Sequence, residues 1–157
     1  ALNDVQNRKA KISFAGTKKI DLTDAETKKT DSTEVYVIEY SPKGGSDLEI
    51  KMFFDKTNFR HLRTEYFKLI AARQAATIDN SAGQSSDRIQ VVEEFSGFQN
   101  MGGLVLPGKY KIGYSYYNNS PIQASGRKNS EMEWNFTVNG FSYNQNFDAT
   151  AFQIDTN

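Results

Sequence analysis

At 157 residues the chain suits one domain, long enough to bury about two thirds of its unfolded surface. Nineteen basic residues balance nineteen acidic ones, which removes the electrostatic case for a nucleic-acid partner or an anionic membrane. With no cysteine there are no disulfides, thiol nucleophiles or zinc–thiolate sites, and no apolar run approaches the ~20 residues of a membrane-spanning helix.

Aromatics make up 13% of residues, mostly Phe and Tyr beside the single Trp134, which favours strands over a helical bundle. The chain opens on Ala1-Leu2-Asn3, without a methionine, signal peptide or lipid-attachment cysteine, and reads as a processed or trimmed piece of a longer precursor.

Residues 9–15, "KAKISFA", alternate strictly, with Ala10, Ile12 and Phe14 on one face, as a half-buried strand does. Gly16 is a break or bulge, and "TKKIDL" continues the strand. Residues 23–33 are polar throughout and read as a solvated loop before the strand "EVYVIEY" at 34–40. The connector "SPKGGSD" leads into a strand whose Leu48, Ile50, Met52 and Phe54 share a face. A tight "DKTN" turn returns the chain through "FRHLRTEYF", an antiparallel hairpin in which strict alternation puts His61 in a row with Arg63 and Glu65.

The Ala-rich stretch 70–77 suits a short helical or lid-like segment, followed by a Ser/Asn/Gly-rich loop. Strands resume at 88–95, turn through "SGFQNMGG", and continue over 104–117, where Tyr110, Ile112, Tyr114 and Tyr116 form an aromatic stripe. Pro107 implies an edge or bulge near the start of that strand. After a polar loop, Met132, Trp134, Phe136 and Val138 face one way, and the tail ends on the apolar pair Phe152 and Ile154. About seven or eight strands with hairpin spacing and no βαβ rhythm predict a mainly β domain spanning 1–157, an antiparallel barrel, half-barrel or sandwich.

Chemistry is sparse along this pattern. His61 has no nucleophile elbow or metalloprotease motif around it and reads as a solvated strand histidine. Asp21, Asp24, Glu26 and Asp31 lack calcium-loop spacing and are interleaved with lysines. Glu93 and Glu94 are adjacent on a strand, so they point to opposite faces and cannot share a substrate. No catalytic residue, metal ligand or cofactor site emerges. The abundance of Phe14, Phe54, Tyr110, Tyr114, Trp134 and Phe136 on strand faces suits either a filled core or a sheet curled around an acyl chain, and patterning does not separate the two.

Three stretches, "SDLEIKMFFDKTNFRHLRTEY", "VVEEFSGFQNMGGLVLPGKYKI" and "EWNFTVNGFSYNQNFDATAFQI", resemble the C-terminal half of the LolA/LolB-like, outer-membrane lipoprotein-sorting superfamily, with the nearest likeness to secreted acidobacterial-type members. The likeness runs in order over roughly residues 9–155, as strand–turn patterns more specific for fold than for activity.

The resemblance implies a curved antiparallel half-barrel in the bacterial periplasm or outside the cell. It would carry lipid or lipoprotein acyl chains on an apolar concave face, without cofactor or reaction. On that reading the ligand-facing residues are Leu48, Ile50, Met52, Phe54, Tyr110, Ile112, Trp134 and Phe136. Related sequences are longer at the N-terminus, where the first helix and strands lie. Their absence would bare a sheet edge, and bare edges pair with other chains. The alternative expectation is therefore a structural subunit of an extracellular filament or oligomer, with copies of itself as partner through strand addition.

Overall fold

The computed structural model describes residues 10–23, 27–42, 47–70, 87–118, 130–142 and 146. Seven strands follow one another along the chain: β1 (Lys11–Thr23), β2 (Thr30–Ser41), β3 (Leu48–Asp55), β4 (His61–Ile70), β5 (Asp87–Met101), β6 (Leu104–Asn118) and β7 (Ser130–Thr137). Each pairs antiparallel with the next, in the order β1-β2-β3-β4-β5-β6-β7, and the sheet is curved and not closed into a barrel. This is the predicted antiparallel meander. The stretch proposed as a lid contributes only Ile70, the last residue of β4; the rest of it, and the pair Phe152 and Ile154, lie outside the described residues.

Two predicted loops are partly strand. β1 and β2 remain paired as far as Thr23 opposite Thr30, where the two hydroxyls lie 2.9 Å apart, so Thr23 and residues 30–33 of the polar stretch 23–33 belong to the ladder. Likewise β5 runs to Met101, and only Gly102 and Gly103 turn the chain, with φ of 59° and 89°. Both residues of a two-residue hairpin turn of this hand need positive φ, which glycine adopts freely. Polarity misled the reading because cross-strand hydrogen bonding in an exposed hairpin needs no apolar face.

The β1 break is a bulge: pairing moves from Phe14 opposite Ile38 to Gly16 opposite Val37, and Gly16 has a φ of 107°. Pro107 pairs with Phe98, while β7 first meets β6 at Lys109 opposite Thr137. Among the described residues it therefore lies in a stretch of β6 paired on one side only, which suits a residue without an N–H.

The β3–β4 turn is set by Asp55, whose Oδ1 accepts the amide hydrogens of Thr57 at 2.6 Å and Asn58 at 3.1 Å. Beyond it, Phe59 takes a φ of 58°, and its ring stacks on Tyr36 with centroids 6.0 Å apart.

The buried cluster is small and lies at one end of the sheet: Ile20, Val35, Val37, Phe53 and Leu62, with Leu22 and Phe98 packed against it. Its residues come from β1 to β4, while Phe98 belongs to β5, so the strands at this end wrap around the side carrying Phe53. The Arg63 guanidinium on β4 spans the fold, donating to the Asp21 carbonyl on β1 at 2.6 Å.

Candidate functional site

The register divides the sheet into two unlike faces, because directly opposed residues share a face and alternate residues do not. One face, followed outward from Phe53, carries a row of alternating charge perpendicular to the strands. Lys51 pairs with Glu39 at 3.4 Å, Arg63 with Glu94 at 2.5 Å and Glu65 at 3.6 Å, and Lys111 with Glu94 at 2.7 Å and Glu133 at 4.0 Å. The row thus links β2–β3 and β4–β7, and Lys51 lies opposite Glu65 to bring the two parts together. Where this side wraps, a cleft of about 320 Å³ opens between Leu22 and Thr23 of β1 and Asn135 to Thr137 of β7.

The other face is apolar and aromatic across all seven strands. Ile12 and Phe14 lie opposite Tyr40 and Ile38; Tyr36, Ile38 and Tyr40 lie opposite Phe54, Met52 and Ile50. Ile50 meets Tyr66, Tyr66 meets Val91, and Val91 meets Tyr114. Phe95, Tyr110 and Phe136 then form one row, with Ile112 beside Trp134 and Tyr114 beside Met132.

All eight residues named from the sequence, Leu48, Ile50, Met52, Phe54, Tyr110, Ile112, Trp134 and Phe136, fall on this single face. They form two groups, four on β3 and four on β6–β7, separated by β4 and β5. Tyr110 and Phe136 also border the cleft. The wrap at the clustered end encloses the opposite, charged side, so these eight do not share the buried cluster.

Much of the apolar face is open. Phe14 is 62% exposed, Phe136 50%, Met132 49% and Trp134 44%, far above a core residue such as Phe53 at 0%. Across its middle, rings touch in a ladder: Phe54 to His61 at 5.0 Å, His61 to Phe95 at 4.7 Å, and Phe95 to Tyr110 at 5.4 Å. Such contacts add to area burial and hold each ring's orientation.

The sequence reading missed the bridging residues Tyr36, Ile38, Tyr66, Val91 and Phe95. Their alternation was visible, but which face each strand turned the same way was not. His61 also stands elsewhere than its spacing suggested. Between Phe53 and Phe54 the register slips, so that Phe53 opposes Arg63 and Phe54 opposes His61. The extra residue, Leu62, interrupts the alternation and moves His61 out of the charged row and onto the aromatic face.

There His61 is half-buried rather than solvated. Its Nε2 lies 3.0 Å from the Arg63 carbonyl and 2.8 Å from Thr64 Oγ1; the carbonyl can only accept, so that contact keeps the proton on Nε2. Burial is the main cause that pushes the imidazole pKa down, against the Arg63 carbonyl and the negative charge of Glu93, which raise it.

Glu93 and Glu94 point to opposite faces, as their adjacency required. Glu94 belongs to the charged row, whereas Glu93 accepts a hydrogen bond from the Tyr66 hydroxyl at 3.0 Å on the aromatic face. The Tyr66 phenol is pushed up, first by burial and then by that bond and the Glu93 charge. Among the described residues no group of His, Cys, Asp or Glu is arranged to hold a metal ion, and no helix is long and apolar enough to cross a membrane.

Comparison of the chain with protein-family models, with curated proteins and with solved structures yields no match.

Proposed function

We propose that this chain binds acyl chains of lipids or lipoproteins, without catalysing a reaction, on the apolar face of its sheet. The carrying observation is the continuity of that face: apolar side chains of every strand meet in register, and the outermost remain about half exposed. Contiguous apolar surface of this extent on a folded chain marks an interaction site rather than a core. The quoted resemblance to lipoprotein-sorting proteins supports the same reading, and with it a periplasmic or extracellular place in a bacterium.

An acyl chain lying on an open face loses water from about half of each methylene. At ~0.8 kcal/mol per fully buried CH₂, roughly fourteen methylenes give about 6 kcal/mol, a Kd in the tens of micromolar at best. Trp134, the only tryptophan, lies on this face and serves as its reporter. A nonionic acyl probe, titrated below its own aggregation concentration, is expected to shift Trp134 emission to the blue. Met52→Asp, a charge on that face, is expected to weaken uptake at least about tenfold. Lys51→Gln, one residue away on the other face, should leave it unchanged. No saturable uptake, or equal loss in both variants, overturns the reading.

A second reading, a subunit that assembles through its sheet edges, is favoured by a different observation. Among the described residues neither β1 nor β7 has an outer neighbour, and every residue of β7 is exposed. Unpaired edges are templates for strand addition.

A further inference from the structure

The acyl-binding reading leaves open what head the chain's ligand carries, and one polar group on the apolar face bears on it. Glu93 stands opposite Thr64 on β4 and Ile112 on β6, with Val91 and Phe95 as its same-face neighbours along β5. Among the described residues it accepts one hydrogen bond, from Tyr66, so one tyrosine hydroxyl meets a carboxylate with room for about four donors. No lysine or arginine among the described residues pairs with it, in contrast to Glu94 next door, which has both Arg63 and Lys111. The nearest titratable base on this face, His61, is held toward its neutral form by burial and turns its Nε2 to Arg63 and Thr64. Rings stand beside it as well: Phe95 at the next same-face position, in edge contact with Tyr110 and in tilted contact with His61.

We infer that the ligand of this face carries a cationic head, a protonated or quaternary amine, seated at Glu93 beside the Phe95 and Tyr110 rings. A carboxylate bordered by aromatic faces is the combination that attracts such a head. The charge supplies Coulomb attraction, and the ring quadrupoles add cation–π attraction without the hydration that a second carboxylate would bring. A fatty-acid carboxylate at the same place meets like charge. The inference rests on acyl binding at this face and adds to it a chemical class of head.

The test uses the whole chain and three amphiphiles that share a dodecyl tail: a trimethylammonium, an uncharged maltoside and a carboxylate. Each is titrated below its aggregation concentration, with Trp134 emission and calorimetry as readouts. Because the chain's net charge is zero, overall charge does not bias the ranking. The ammonium is expected to bind about tenfold tighter than the maltoside, and the carboxylate about tenfold weaker. In Glu93→Gln, which keeps an acceptor for Tyr66, the three should converge while maltoside binding is retained. Tyr66→Phe, which frees the carboxylate, should keep or widen the preference. Equal affinities in the wild type, or a ranking unmoved by Glu93→Gln, overturn the inference and leave acyl binding standing. If none of the three binds, acyl binding itself falls, and the inference with it.

Discussion

At the scale of single residues, burial between Phe54 and Phe95 gives His61 a measurable signature. Its folded-state pKa lies below the ordinary 6.5, so in the interval between the two values the unfolded chain binds more protons than the folded one. Stability therefore rises with pH there. The contribution is complete above about pH 6.5 and is lost as the pH falls through the folded-state value. Urea unfolding is expected to show a lower midpoint at about pH 5 than at about pH 7.5, and His61→Gln should reduce that difference. An undiminished difference in the variant would assign the pH dependence to carboxylates instead. None of this followed from the spacing "NFRHLRTEY", which puts His61 with Arg63 and Glu65. The bulge at Leu62 decides otherwise, and a register slip has no signature in a single strand's alternation.

At the scale of elements, the charged row ties strands together with unequal strength. The Arg63 and Glu94 side chains are 15% and 12% exposed, whereas those of Lys51 and Glu39 are 40% and 44% exposed. A pair largely withdrawn from water leaves a costly unpaired charge when broken, roughly 3–5 kcal/mol at full burial. An exposed pair is worth about 0–1 kcal/mol. Arg63→Ala is thus expected to lower unfolding free energy by a few kcal/mol, also losing the strut to Asp21, while Lys51→Ala costs less than about 1 kcal/mol. Denaturant titration of the two variants checks the ordering, and equal losses would contradict it. Between β5 and β6, close backbone approach accounts for Gly108, where an added Cβ would lie 2.8 Å from the Gly97 carbonyl of the neighbouring strand. Backbone approaches there more closely than a side chain allows.

At the scale of the molecule, the described residues bury few large side chains fully and leave a wide aromatic face and two strand edges open. A carrier and an assembling subunit use these features differently. Native mass spectrometry with negative-stain microscopy separates them. A monomer with extra mass that extracts into organic solvent is the outcome expected of the carrier. Ordered filaments or closed oligomers free of lipid would instead make β1 and β7 the working surfaces. In that case dilution should unfold the chain as it dissociates, since stability would then depend on protomer concentration.

The sequence by itself determined the kind of fold. Period-two alternation, β-branched and aromatic residues and short hairpin connectors specify consecutive antiparallel strands, because each is a local property of the pleat and the turn. It also grouped Leu48, Ile50, Met52 and Phe54 on one face, and Trp134 with Phe136 on one face, since residues two apart along a strand must agree. Only the tertiary structure decided that these groups share the same side of one sheet, that Tyr66, Val91 and Phe95 join them, and that Glu93 stands among them. Those relations depend on register between strands distant in sequence. A shift of one residue reverses every side chain of a strand, so no strand read alone reveals which way its neighbours face.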